Sequence, residues 1–152
     1  MGFPGIFNLL YTLEKQICMI KSIVFDFNGV ILNSSTHRIN EDMIELLQDL
    51  FESNLKLYLF SNTSKQAIHI LNAKYDFLKY FQDVILTEDT GFSKPSDAAF
   101  ENLLKTIGES VDEIVYIDDG KDNIRQAKRF GMVAIPFVDT DRLRLSLASL
   151  DI

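Results

Sequence analysis

The stretch "SIVFDFNGVILN", residues 22–33, opens with a short apolar run and then turns polar. The β-branched and aromatic residues at 22–27 predict a buried strand, because short apolar runs of this kind are typical of strands rather than helices. Asp26 and Asn28 follow the apolar run, and a glycine comes next. A carboxylate at the end of a buried strand is a candidate functional group.

Apolar runs of the same type recur along the chain and alternate with segments of helical periodicity. The further strands are predicted at residues 55–60, 83–86, 113–117 and 132–135. The helical segments between them have N-cap residues that are typical of helix starts, namely Asn40, Ser64 and Ser96. The tail at 141–150 fits either a strand or a helix, and we favour the helix.

This alternation predicts an α/β fold, a three-layer doubly wound (Rossmann-like) and mainly parallel sheet with helices on both faces. Residues 27–60 leave room for a flap, one helix and the second strand, and residues 64–93 leave no room for a folded insertion. We therefore expect a core without a large cap domain.

At 152 residues the chain has the length of one ordinary domain. Residues 6–17 carry apolar side chains at helical spacing, which predicts an amphipathic helix ahead of the first strand. "MIKSIVFDF", from Met19, is itself a natural start for a strand-first domain. We divide the chain into an N-terminal helical extension, residues 1–18, and a domain at residues 19–152.

Composition excludes several classes of function. The formal charge of -7 disfavours general nucleic-acid binding, because like charges repel. We find no apolar run long enough to span a bilayer and no secretory signal, so no membrane partner is expected. The one cysteine, Cys18, cannot form an internal disulfide, which fits a cytoplasmic protein.

Polar residues collect where the predicted strands end. Asp26 and Asn28 end the first strand, residues 61–64 follow the second, and Asp118 and Asp119 follow the fourth. In such sheets the ligand site forms beyond the carboxyl ends of the strands. Converging carboxylates repel each other unless a hard cation with oxygen ligands separates them, and Mg²⁺ is the natural candidate.

Four segments in chain order resemble the motifs of the haloacid dehalogenase (HAD)-like hydrolase superfamily. They are "FDFNGVI" (25–31), "LFSNTS" (59–64), "SKPSDAAF" (93–100) and "YIDDGKDNI" (116–124). The resemblance covers residues 19 to about 138 and implies a phosphoryl-transfer site.

On the metal side, the resemblance implies that Asp26 is the nucleophile that forms an aspartyl-phosphate and also binds Mg²⁺. Asp119 is then the second carboxylate ligand, Asn28 offers its backbone carbonyl, and Asp118 holds a water of the metal.

On the phosphate side, the resemblance implies that Ser61 and the Asn62 amide bind the phosphate. Lys94 is the matching motif lysine, and its fixed charge neutralises both the phosphate and Asp26. Asn123 stands where many family members have an aspartate, so it is assigned a supporting role, with Asp122 as the alternative.

Asn28 is a departure from the family's phosphatases, which have a second aspartate at this position for acid–base work. An amide cannot transfer a proton, and that work contributes about 10²- to 10⁴-fold in rate. The resemblance thus implies a slow Mg²⁺-dependent phosphohydrolase.

Two alternatives remain open at this point. One is a catalytically impaired protein that binds phosphate and Mg²⁺ in a regulatory or scaffold role. The other is a dehalogenase-type hydrolase, although the family's dehalogenases have tyrosine at position 28 and need no metal. A two-component receiver domain is rejected, because its acidic pair follows the first strand.

The expected partner is a phosphorylated small molecule or a larger phosphorylated substrate that enters an open site. A homo-oligomer is the other arrangement considered, in which a second copy lends a lid through the apolar residues at 6–17.

Overall fold

The computed structural model describes residues 19–152, and the helix predicted at 6–17 lies outside them. The domain boundary after residue 18 therefore stays a prediction. Within the described part, no helix is long and apolar enough to cross a membrane.

The described residues form seven strands and six α-helices. The strands are β1 (Ser22–Phe25), β2 (Leu32–Asn33), β3 (Arg38–Ile39), β4 (Lys56–Ser61), β5 (Phe81–Leu86), β6 (Ile114–Asp118) and β7 (Val133–Pro136). The helices are α1 (Glu41–Glu52), α2 (Lys65–Tyr75), α3 (Thr87–Thr90), α4 (Asp97–Ile107), α5 (Lys121–Arg129) and α6 (Thr140–Ala148).

The main sheet has five parallel strands in the order β5-β4-β1-β6-β7. This confirms the predicted parallel α/β sheet and all five of its strands, with ends that differ by up to two residues. After β1 the chain builds one half of the sheet through β4 and the other through β6. The carboxyl end of β1 is therefore the topological switch point, where ligands bind in such sheets.

Strand β1 ends at Phe25, two residues earlier than the sequence predicts. The Asp26 N–H still donates to the Ile117 carbonyl at 2.9 Å, which extends the ladder by one bond. Beyond it the chain turns into the predicted flap, residues 27–40, which contains the antiparallel hairpin β2–β3. The tail forms helix α6, so the favoured alternative for that segment is confirmed.

Two apolar clusters cover the faces of the sheet. Ile23 and Leu57 point to the cluster shared with α1, α2 and α6, whereas Val24 and Tyr116 point to the one shared with α4 and α5. Successive residues of β1 thus face opposite layers, as a strand buried on both sides requires. The predicted three-layer architecture without a large cap is confirmed.

Two of the predicted N-caps make the expected hydrogen bonds. The Ser64 hydroxyl accepts from the Ala67 N–H, and the Ser96 hydroxyl accepts from the Ala99 N–H, both at 3.2 Å. Asn40 occupies the N-cap position of α1, but its side chain makes no capping bond.

Candidate active site

Three carboxylates meet at the carboxyl ends of β1 and β6. Phe25 and Ile117 are register partners, so the residues that follow them, Asp26 and Asp118, lie side by side. Asp119 comes next in the chain, and one oxygen from each of the three side chains lies within 4.8 Å of the others. Asp26 and Asp118 are buried, whereas Asp119 is exposed.

Lys94 lies against the buried pair, with only 2% of its side chain exposed. Its Nζ donates to Asp26 Oδ1 at 2.8 Å, to Asp118 Oδ2 at 3.1 Å and to the Phe60 carbonyl at 2.9 Å. The same ammonium group lies 5.1 Å from the centre of the Phe60 ring. All three ammonium protons therefore have acceptors, which a buried lysine needs to keep its charge.

The Asn62 side chain positions the segment that carries Lys94. Its Oδ1 accepts from the Lys94 N–H at 2.9 Å, and its Nδ2 donates to the Lys94 carbonyl at 3.1 Å. The Thr87 hydroxyl donates to the same Oδ1 at 2.8 Å. The sequence analysis assigned the Asn62 amide to phosphate binding. Because the Asn62 side chain is engaged with Lys94 and Thr87, the backbone N–H of Asn62 is the group that suits that role.

Asp118 accepts hydrogen bonds on both carboxylate oxygens. Besides Lys94, Oδ2 accepts from the Tyr116 hydroxyl at 2.7 Å and from Asn123 Nδ2 at 3.1 Å, and Oδ1 accepts from the Gly120 N–H at 2.8 Å. Asn123 is thus in the site through its contact with Asp118. Asp122 instead lies on the surface and forms an ion pair with Arg125.

Burial and charge push the pKa values of the two buried aspartates in opposite directions. Burial raises the pKa of Asp26 to about 7, with a further upward effect from Asp118, and the Lys94 charge offsets only part of this. Burial also raises the pKa of Asp118, but Lys94 and the hydrogen bonds from Gly120 and Tyr116 outweigh it and place that pKa below the usual range. The site therefore holds one carboxylate firmly ionised and one that is costly to ionise.

Burial raises the pKa of Tyr116, and the charge of Asp118 raises it further, so this phenol stays protonated. The sequence analysis did not single out Tyr116. Its place two residues before Asp118 in the same strand is a usable signal, since alternate strand residues share a face.

Asn28 is exposed and contacts the turn that follows β4. Its Nδ2 donates to the Thr63 hydroxyl at 2.7 Å, and the Thr63 N–H donates to the Ser61 hydroxyl at 3.0 Å. Two backbone hydrogen bonds flank Asn28, from Gly29 N to Leu32 O at 2.8 Å and from Leu32 N to Phe27 O at 2.9 Å. Neither uses the Asn28 carbonyl. Thr63 lies within the polar segment 61–64 that the sequence placed at the site, but the sequence analysis gave it no role of its own.

The family model described as haloacid dehalogenase-like hydrolase matches residues 28–131. The chain belongs to this family. The match confirms the resemblance drawn from the four motifs, and it includes Ser61, Lys94, Asp118 and Asp119.

Curated relatives of this HAD-like chain carry two kinds of name. It is 28% identical over 140 residues to drimenol cyclase drtB of Aspergillus calidoustus, which covers 90% of this chain and 26% of that protein. It is 26% identical over 98 residues to sesquiterpene phosphatase astK of Aspergillus oryzae, and the alignment covers 64% of this chain and 50% of that protein. It is 33% identical over 95 residues to a glyceraldehyde 3-phosphate phosphatase of Methanocaldococcus jannaschii, and the alignment covers 60% of this chain and 41% of that protein. The chain thus spans half or less of the length of these relatives.

A solved structure of similar fold is a HAD family enzyme from Bacteroides thetaiotaomicron in complex with magnesium and inorganic phosphate. It is 16% identical, has a TM-score of 0.71, and covers 82% of this chain and 98% of that one. At 16% identity this similarity shows a shared fold and nothing further.

Proposed function

We propose that this HAD-like domain is a Mg²⁺-dependent phosphohydrolase in which the Asp26 carboxylate attacks a phosphoryl group and forms an aspartyl-phosphate. The observation that carries the proposal is the buried Lys94 ammonium, 2.8 Å from Asp26 and 3.1 Å from Asp118, within a cluster of three carboxylates. Two curated relatives named as phosphatases support it.

The donors around Asp26 fit a magnesium ion. Mg²⁺ prefers carboxylate and carbonyl oxygens, and Asp26, Asp119 and the Asn28 carbonyl supply them, with Asp118 beside them. The raised pKa of Asp26 supports this, because the charge of Lys94 alone does not bring the pKa of that carboxyl back to its usual range. When bound, Mg²⁺ would supply the charge that keeps Asp26 ionised and neutralises the phosphoryl oxygens.

The turn after β4 is suited to hold the phosphate. The Ser61 hydroxyl accepts from the Thr63 N–H, so its own proton remains to donate to a phosphate oxygen. Helix α2 begins at Lys65, directly after this turn, and helix N-termini favour anions. Lys94 adds a positive charge from the adjoining loop.

In the proposed reaction an Asp26 oxygen forms a bond to phosphorus while the bond from phosphorus to the leaving oxygen breaks. Water then attacks the aspartyl-phosphate and releases inorganic phosphate. Asn28 has no acidic proton to give to the leaving oxygen. Substrates whose leaving groups depart as stable anions, such as carboxylates or phenolates, are therefore favoured.

A regulatory protein that binds phosphate and Mg²⁺ is the second candidate, and Asn28 is the observation that favours it. The amide bonded to Thr63 stands where acid–base work is needed in the family's phosphatases. The clustered carboxylates weigh against the metal-free dehalogenase alternative.

The test is a turnover assay with acetyl phosphate, p-nitrophenyl phosphate and alkyl phosphates, with Mg²⁺ and with a chelator. We expect Mg²⁺-dependent release of phosphate from the first two, and a phosphoryl group on the wild-type protein that mass spectrometry does not find on Asp26→Asn. Asp122→Asn is the matched control, since that side chain is 75% exposed and pairs with Arg125. Binding of phosphate without turnover of any ester would favour the regulatory candidate.

A further inference from the structure

Strand β5 brings Thr87 to the active-site edge of the sheet, beside the turn that follows β4. The ladder between β4 and β5 ends with the pair Ser61 and Leu86. The next residues along the chain, Asn62 and Thr87, therefore lie side by side, and the Thr87 hydroxyl donates to Asn62 Oδ1 at 2.8 Å. The outermost strand on this side of the sheet thus contacts the side chain that holds the backbone of Lys94.

The backbone of Lys94 takes its hydrogen bonds from the Asn62 carboxamide. Residues 91–96 lie between α3 and α4 and form neither helix nor strand. Both the Lys94 N–H and the Lys94 carbonyl bond to the Asn62 side chain, at 2.9 and 3.1 Å. A carboxamide that is bonded through both of its polar atoms fixes the direction in which the Lys94 side chain leaves this loop.

The two bonds to Lys94 also determine the role of the Thr87 hydroxyl. The carboxamide oxygen must face the Lys94 N–H and the amide nitrogen must face the Lys94 carbonyl, because the reverse orientation would place donor against donor. Asn62 Oδ1 is therefore the atom that faces Thr87, and the hydroxyl donates to it. A valine side chain has no proton to donate, so it would leave the carboxamide with one anchor fewer.

The ammonium group of Lys94 has little tolerance for a displaced backbone. Its Nζ donates to three acceptors at once, Asp26, Asp118 and the Phe60 carbonyl, over distances of 2.8–3.1 Å. A rotation of the Lys94 backbone is magnified along the four side-chain carbons before it reaches Nζ. A displacement of about 1 Å at a reacting group lowers a rate by up to about 10²-fold, even when its cause lies far from the chemistry.

A second contact from α3 holds the turn after β4 independently of Thr87. Glu88 Oε2 accepts from the N–H of Lys65, the first residue of α2, at 3.1 Å. The Lys65 side chain also forms an ion pair with Asp89. The turn therefore stays attached to α3 when the Thr87 hydroxyl is removed, so a substitution of Thr87 tests its bond to Asn62 rather than the whole turn.

We propose that Thr87 is a positioning residue of the phosphoryl-transfer site, whose hydroxyl holds the Asn62 carboxamide and thereby sets the backbone of Lys94. This inference rests on the proposed phosphohydrolase function. Loss of the hydroxyl should slow the attack of Asp26 on phosphorus more than it weakens binding of substrate, because the Lys94 charge matters most where charge develops in the transition state.

The test is the rate at which acetyl phosphate phosphorylates Asp26 in the full chain at saturating Mg²⁺, followed by rapid quenching and mass spectrometry. The dependence on acetyl phosphate concentration gives a maximal rate and a half-saturating concentration. We expect Thr87→Val to lower the maximal rate about tenfold, as the loss of one net hydrogen bond gives, and to change the half-saturating concentration less than about threefold. Thr87→Ser keeps the hydroxyl and should stay within about twofold of the wild type.

Two comparisons separate positioning from packing. Valine keeps the methyl group of threonine and serine keeps its hydroxyl, so a packing role would impair Thr87→Ser and spare Thr87→Val. Thr106→Val is the matched control, because the Thr106 hydroxyl also donates at 2.8 Å, but to the Asn102 carbonyl within α4, and its loss should leave the rate unchanged. In an Asn62→Ala background, Thr87→Val should have no further effect, because the two side chains act as one unit.

The outcomes separate this inference from the proposed function. If acetyl phosphate places no phosphoryl group on wild-type Asp26, the proposed function is wrong and Thr87 has no reaction to position. If the wild type is phosphorylated but Thr87→Val is equally fast, or Thr87→Ser is as slow as Thr87→Val, the positioning role is wrong and the proposed function stands. An equal effect of Thr87→Val in the wild-type and Asn62→Ala backgrounds, or a similar loss in Thr106→Val, would also overturn the positioning role alone.

Discussion

Gly29 and Asp119 are in contact across the active-site edge of the sheet: a methyl group on the Gly29 Cα would lie 2.0 Å from Asp119 Oδ2. Gly29 also has a φ of +83°, in the left-handed region that residues with a Cβ rarely adopt. Because Gly29 has no side chain, it leaves the space that the Asp119 carboxylate occupies.

Replacing Gly29 should therefore disturb the metal site as well as the backbone. We expect Gly29→Ala to displace Asp119 and to weaken Mg²⁺ binding at least tenfold, in addition to about 1–2 kcal/mol of backbone strain. Gly91→Ala is the matched control, because Gly91 has a similar φ of +75° and nothing within 4 Å of the added carbon. Equal Mg²⁺ affinities in the two variants, measured by calorimetry, would show that the contact does not matter.

Removing the Asp119 charge tests the metal assignment directly. Asp119→Asn should weaken Mg²⁺ binding by tenfold or more, because it removes a charged ligand from an ion that takes few protein ligands. Asp122→Asn, three residues along and exposed, should leave the affinity as in the wild type. An unchanged affinity in Asp119→Asn would remove this residue from the metal site.

Mg²⁺ binding should depend on pH through Asp26. Burial raises the pKa of this carboxyl to about 7 without metal, so it is mostly protonated at pH 6 and mostly ionised at pH 8. Because protons compete with the metal, the affinity should rise about tenfold between these values. Calorimetry at the two pH values is the measurement, and a flat profile would contradict the assignment of Asp26.

The same shift has a consequence for folding. A carboxyl whose pKa is raised in the folded state favours folding while protonated, so its contribution is full below about pH 4 and is lost as the pH rises to about 7. Excess Mg²⁺ should therefore raise the melting temperature more at pH 8 than at pH 6. Asp26→Asn should show no such difference between the two pH values.

Tyr116→Phe should destabilise the protein by about 1.5–3 kcal/mol, because it removes a hydrogen bond to the buried, charged Asp118. Tyr58→Phe is the control, a buried tyrosine of β4 with no hydrogen bond from its hydroxyl to another described residue, and it should cost less than about 1 kcal/mol. Denaturant unfolding measures both. A merely structural role for Tyr116 would leave the turnover of acetyl phosphate unchanged, whereas positioning of Asp118 and Lys94 would lower it.

Asn28→Asp should restore the missing proton carrier. We expect turnover of alkyl phosphates to rise by roughly 10²- to 10⁴-fold, with little change in Mg²⁺ affinity, because the backbone carbonyl at this position is retained. The Thr63 hydroxyl, 2.7 Å from the present amide, is placed to donate to the new carboxylate. Acetyl phosphate is the control substrate and should gain much less, since its leaving group needs no proton. An equal gain on both substrates would mean that acid–base work does not limit the reaction.

Much of the fold can be predicted from short stretches of the sequence. The apolar run before Asp26 and the pair at 118–119 show where strands end, because the change from buried to polar residues coincides with the edge of the sheet. The order of the four motifs then identifies the family, and the serines at 64 and 96 mark helix starts through their own side chains. These features depend on neighbours within a few positions, which a sequence displays directly.

Only the tertiary structure decided which distant groups meet. The sequence predicts a phosphate-binding role for the Asn62 amide, which stays a prediction, but it gave no sign that the Asn62 side chain holds the backbone of Lys94 or that Asn28 bonds to Thr63. The contact of Gly29 with Asp119 arises from the same packing of separate segments. Such contacts depend on the register of parallel strands and on side-chain packing, and no periodicity along the chain encodes distances of this kind.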